Sequence, residues 1–118
     1  MMQDILFIIN GPAYGSENAF NALRIARALL DKPNVQMRVF LMADATVCAK
    51  KDQKTPDGYY NLSRMIFSLA QKKVPIGACG TCMDARGISD DELITGVRRS
   101  NMGELAEWVI TSAKVITF

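Results

Sequence analysis

The segment Ile5-Leu6-Phe7-Ile8-Ile9 is an unbroken apolar run, and it limits the folds open to this chain more than any other feature. A strand with one face in water alternates polar and apolar residues. This run does not, so it must be covered on both faces. It is far too short to cross a bilayer and follows acidic Asp4 rather than a basic stretch, so neither a membrane span nor an export signal is expected. Such a strand belongs inside a sheet with helices on either side, and the rest of the chain supplies them.

Asn10-Gly11-Pro12-Ala13-Tyr14-Gly15 breaks the run, and the period then changes. Ala19, Phe20, Leu23, Ala26 and Leu30 recur at helical spacing, with Glu17, Asn21, Arg24 and Asp31 on the other face. Ser16 is the expected N-cap, and Lys32-Pro33-Asn34 the stop. Val35 to Met42 reads as a second strand reached through this helix, hence parallel to the first. Asp44 to Lys50 suggests a short helix that Asp44 caps, and the polar stretch from Lys51 to Gly58 a mobile loop. Asn61 caps a helix with the stripe Leu62, Met65, Ile66 and Leu69, which ends near Lys72 and Lys73. Pro75 to Ala78 is a third strand. A short helical stretch from Ser89 to Leu93 and a weak strand near Ile94 to Val97 follow. An Asn101–Glu104 capping box opens a last helix through Leu105, Ala106, Trp108 and Val109, and Val115 to Phe118 closes the chain as a strand. The expected architecture is a single domain over residues 1–118: an α/β three-layer sandwich with about five mainly parallel strands and helices on both faces.

Composition narrows the chemistry. With 118 residues, 49% of them hydrophobic and 22% charged, the chain is globular rather than disordered. The net charge of +2 is too small to imply nucleic acid or a membrane surface as a partner, so any basic effect must be local. No histidine is present, which excludes Ser-His and Cys-His catalysis and histidine-ligated metals within the chain. Three cysteines, two of them in one short motif, do not make a secreted disulfide framework, and a reducing cytoplasm is the expected setting.

That motif, Cys79-Gly80-Thr81-Cys82, lies just past the carboxyl end of the third strand, where open α/β sheets build their sites. At a strand-to-helix turn, backbone N–H groups point at the first sulfur and favour its thiolate. Cys79 is therefore the expected nucleophile and Cys82 its assistant, with Arg86 and Lys72 or Lys73 as nearby positive charges. The competing reading of Cys79 is a small buried hydrophobe. Cys48 has helical packing character. The loop holding Asn10, Gly11, Tyr14 and Gly15 lacks the phosphate-loop lysine and the dinucleotide spacing, so it reads first as a turn. On a parallel sheet it shares an edge with the cysteines and could wall their pocket, as could Asp44. No cofactor or resident metal is expected. Zinc would need cysteine pairs from two subunits.

Taken together, Asn10-Gly11 with Tyr14-Gly15-Ser16-Glu17, Phe40-Leu41-Met42-Ala43-Asp44-Ala45, Gly58-Tyr59, Cys79-Gly80-Thr81-Cys82 with Asp84 and Arg86-Gly87-Ile88-Ser89, and the ending Lys114 to Phe118 resemble the DsrE/DsrF-like family. The likeness spans almost the whole chain and is strongest to the short stand-alone YchN-like branch. It implies a homo-oligomer, with a hexamer favoured over a trimer, and a cysteine at position 79 that carries persulfide sulfur between donor and acceptor proteins. The family's sulfur-relay cysteine is followed eight residues on by the glycine of an Arg-Gly pair, a spacing that Cys79 and Gly87 keep. The alternatives are a dithiol–disulfide redox or regulatory protein, and a non-enzymatic oligomeric module binding metal through CxxC pairs.

Overall fold

The computed structural model describes every residue from Met1 to Phe118. Five strands, β1 (Gln3–Ile9), β2 (Val35–Leu41), β3 (Ile76–Cys79), β4 (Val97–Ser100) and β5 (Lys114–Thr117), form one sheet in the order β4-β3-β2-β1-β5. Every pairing is parallel. Four α-helices connect them: α1 (Asn18–Leu29), α2 (Leu62–Gln71), α3 (Gly80–Ala85) and α4 (Met102–Ile110).

The order of the strands explains the two layers of helix. From β1 to β4 the chain steps across the sheet in one direction, whereas β4 to β5 returns past β1 to the far edge. Right-handed crossovers place helices on opposite faces when the direction of travel reverses. Ile5, Phe7 and Ile9 of β1 accordingly pack with Leu23 of α1 and Ile66 and Leu69 of α2 in the main core. The alternate residue Leu6 joins Phe40, Cys79 and Trp108 of α4 in a smaller cluster on the other face. Each fully buried Leu, Ile or Phe side chain contributes about 1.5–3 kcal/mol, so the main core dominates stability. The second face is thinner: α4 buries only Trp108 and leaves Met102, Val109 and Ile110 exposed.

Several boundaries differ from the sequence reading. The N-cap of α1 is Glu17, and Ser16 Oγ instead accepts from the Asn18 N–H at 3.3 Å. The segment after β2 is a 3-10 helix, Ala43–Ala49, capped by Met42 rather than Asp44. The fourth strand lies three residues beyond the expected start because it is an edge strand, where Arg98 and Arg99 face solvent without cost to the core. Asn101 does cap α4, accepting from the Glu104 N–H at 2.9 Å. The reciprocal bond is missing because the Glu104 carboxylate holds Arg98 and Ser100. The reciprocal capping box is Ser89 with Glu92, which opens a 3-10 turn, Asp90–Glu92.

The stretch expected to be a mobile loop, Lys51 to Gly58, has no regular structure and is mostly exposed, but it is tied down at Gln53. Gln53 Nε2 donates to the carbonyls of Val47, Cys48 and Lys50. Its side-chain oxygen accepts from the Tyr14 hydroxyl at 2.7 Å, and its own carbonyl from Asn61 Nδ2 at 2.9 Å.

Candidate functional site

Cys79 is the last residue of β3 and the N-cap of α3, so its side chain leaves the sheet edge while the following amides turn back over it. It is 3% exposed and packs on the α4 face with Leu6, Phe40 and Trp108. Burial pushes the Cys79 thiol up, yet the Thr81 hydroxyl, the Cys82 thiol and the backbone N–H groups of Cys82 and Thr81 outweigh it. The net effect lowers Cys79 below an ordinary thiol. The Thr81 Oγ1 lies 3.3 Å from Cys79 Sγ.

Cys82 behaves in the opposite way. Burial and its hydrogen bond to the Cys79 sulfur raise it, against the opposing pull of the Ala43 N–H and the Arg86 charge. It stays a protonated donor beside a sulfur that favours the anion. The Ala43 N–H reaches Cys82 Sγ at 3.2 Å from a residue with φ 51, a left-handed conformation uncommon for alanine. Strained backbone of this kind clusters at functional sites.

Arg86 ties the two strand ends together. Its Nη2 and Nε donate to Asp44 Oδ1 at 2.8 and 3.1 Å, and its Nη1 donates to the Cys82 carbonyl at 3.1 Å. Asp44 and Arg86 thus stand beside the dithiol. Gly87 follows with φ 67, and the chain turns there so that the Ile88 N–H returns to the Met83 carbonyl. The Cys79-to-Gly87 spacing is therefore the length of one short helix and its stop.

The remaining expected residues occupy other positions. The Asn10 N–H and Nδ2 both donate to the Phe118 carbonyl, which closes the β1–β5 edge. Gly11 passes close to Asn18, and a Cβ there would meet Asn18 Cβ at 3.1 Å. Gly15 supplies a turn at φ 90. Tyr14 donates to Gln53 and accepts from the Leu62 N–H, so its hydroxyl anchors the start of α2. None of these four hydrogen-bonds to either cysteine. Lys72 and Lys73 lie at the amino edge of the sheet, in a cleft of about 790 Å³ shared with Asp4, Arg27 and Arg38, so they are not the charges near Cys79. That cleft is large but holds no thiol, and the reactive chemistry is at the opposite edge.

Arg99 was not singled out from the sequence. It lies so close over Gly80 that a Cβ there would meet Arg99 Nε at 2.8 Å, and it pairs with Asp84 at 2.7 Å and Asp90 at 3.3 Å. Two adjacent arginines in a stretch that pairs with the motif strand were the available signal. Thr81 was visible only as the residue between the cysteines.

The profile of the DsrE/DsrF-like family matches residues 3–118. Protein YchN of Escherichia coli (strain K12) is 44% identical over 118 residues, covering 99% of this chain and 100% of that one. The crystal structure of the ychN protein from E. coli superposes with a TM-score of 0.94 over 99% of this chain and all of that chain. Sulfurtransferase TusD of Serratia proteamaculans is 27% identical over 129 aligned positions, covering 99% of this chain and 100% of its own. Sulfur relay is therefore represented within the family. The full-length profile match, the five-stranded parallel fold and the identity to YchN agree that the chain belongs to the DsrE/DsrF-like family, on its YchN-like branch.

Proposed function

We propose that this protein is a sulfur carrier in which Cys79 holds sulfane sulfur as a persulfide and passes it to a partner thiol. The observation that carries this reading is the placement of Cys79 at a strand end, where it caps α3 with its sulfur 3.3 Å from the Thr81 hydroxyl and its thiol lowered by those surroundings. The Cys79 thiolate attacks the terminal sulfur of a donor persulfide, the donor S–S bond breaks, and the donor leaves as a thiolate that takes up a proton. An acceptor thiolate then attacks the outer sulfur held on Cys79 and releases the Cys79 thiolate. No net oxidation occurs in either exchange. Cys82, its thiol raised, stands beside Cys79 as the protonated member of the pair.

Donor and acceptor are proteins presenting thiols in a reducing, cytoplasmic setting, and the working unit is a homo-oligomer, a hexamer or else a trimer. Mass spectrometry after incubation with a persulfide donor tests the reading. A one-sulfur-atom increase on the Cys79 peptide, lost in Cys79→Ser and kept in Cys82→Ser, is expected. An unmodified Cys79, or an adduct indifferent to Cys79→Ser, refutes it.

The mutual influence of the two thiols, Cys79 lowered and Cys82 raised by the other, also favours a second reading, a dithiol–disulfide couple. Titration against glutathione buffers decides: a couple that stays reduced across the cytosolic range removes this reading.

A further inference from the structure

The net charge of +2 implied that any basic effect must be local, and the fold localises one. Of the seven arginines, Arg86, Arg98 and Arg99 pair with carboxylates, and Arg38 donates to the Trp108 carbonyl and the Ser112 hydroxyl. The other three, Arg24, Arg27 and Arg64, have no carboxylate partner and line one cleft of about 390 Å³ between α1 and the start of α2. No acidic residue lines this cleft. Glu17 is the one carboxylate near enough to influence Tyr60.

The same cleft is walled by aromatic rings. Tyr60 stacks on Phe20 at 4.0 Å and on Tyr59 at 4.5 Å, with interplanar angles of 19° and 21°. Arg24 covers the Phe20 ring at 5.3 Å. Tyr60 is thus the middle of a column whose outer member, Tyr59, is 51% exposed. The column is held in place, because its loop is pinned by Gln53 and Asn61 and backed by Tyr14 at 5.8 Å from Tyr60. A preformed stack ending on an open ring, beside three unneutralised guanidinium groups, fits a flat aromatic group attached to an anion. The volume is at the lower end of the range for small-molecule sites.

We propose that this cleft binds a nucleotide unit, its base stacked on Tyr59 and its phosphate held by Arg27 and Arg64. The unit comes from a free nucleotide or from single-stranded RNA. Arg27 also borders the amino-edge cleft, where Arg27, Arg38, Lys72 and Lys73 outnumber Asp4 and Asp31, so a longer strand has a net positive path to follow.

Binding of AMP, ATP, adenosine, inorganic triphosphate and fluorescein-labelled oligoadenylate to the full chain, by calorimetry and anisotropy, tests this. AMP, ATP or the oligonucleotide should bind at least about tenfold more tightly than adenosine or inorganic triphosphate alone, since base and phosphate contribute together. Tyr59→Ala should weaken binding about tenfold and Tyr59→Phe much less. Arg64→Ala should weaken it and flatten its salt dependence. Binding of the nucleotides alone identifies a small-molecule site, and preference for oligoadenylate identifies the polymer. Circular dichroism and the Cys79 alkylation rate should not change in these variants. The proposal is overturned if no nucleotide probe binds more tightly than millimolar, or if Tyr59→Ala and Arg64→Ala bind as the parent does. A cleft closed by another subunit would give the first of these results.

Discussion

Cys79 and Cys82 share one motif but are driven in opposite directions by their neighbours. Both are partly desolvated, and the difference lies in their neighbours: the Thr81 hydroxyl, 3.3 Å from Cys79 Sγ, with Cys82 and the amides that open α3 lowers Cys79, whereas Cys79 raises Cys82. The pH profile of iodoacetamide alkylation should therefore have its Cys79 midpoint below that of a free thiol, about 8.5. A lowered pKa means more thiolate at neutral pH and so faster alkylation there. Thr81→Val removes one donor and should move the midpoint up; an unchanged midpoint would show that the hydroxyl does not act on the sulfur. Cys48, pushed up to about 12 by burial, should remain unmodified in the folded protein. The dithiol was legible at this scale because the motif names itself. Ala43 was not: nothing in an alanine announces a positive φ, and its N–H reaches Cys82 only because the chain after β2 turns beside α3.

At the scale of elements, α4 carries more than its length suggests. Trp108 meets Phe40 edge-on at 6.2 Å, lies under Arg38 and Arg98 at 5.5 and 5.9 Å, and shares the small cluster with Cys79. Trp108→Ala should cost about 3–5 kcal/mol in urea denaturation. It should also speed Cys79 alkylation, because α4 is the cover over that sulfur; slower or unchanged alkylation would contradict the packing. The helices α1 and α2 were readable from their apolar stripes. The fourth strand was not, since an edge strand of Val-Arg-Arg-Ser carries no apolar run. The loop around Gln53 is irregular and mostly exposed, as its polar composition suggests, but its anchoring to Tyr14 and Asn61 is a matter of tertiary placement that composition does not record.

The molecule as a whole has two unequal faces, one packed by α1 and α2 and one covered by α4 alone. Ile110 is 75% exposed, beside the half-exposed Met102 and Val109. If the oligomer expected from the family forms through this face, Ile110→Glu should lower the mass found by light scattering to that of a smaller assembly. A parent protein that is already monomeric would defeat the idea. The periodicities of the sequence determined the parallel α/β layering, since a two-sided apolar strand followed by an amphipathic helix has few other ways to bury both. They also set the dithiol at a strand end. Only the tertiary structure decided which charges share an edge with it. Arg86 with Asp44 and Arg99 with Asp84 reach the site, while Lys72 and Lys73 end at the far edge. Strand order and helix direction govern such neighbours across the sheet, and spacing along the chain does not record them.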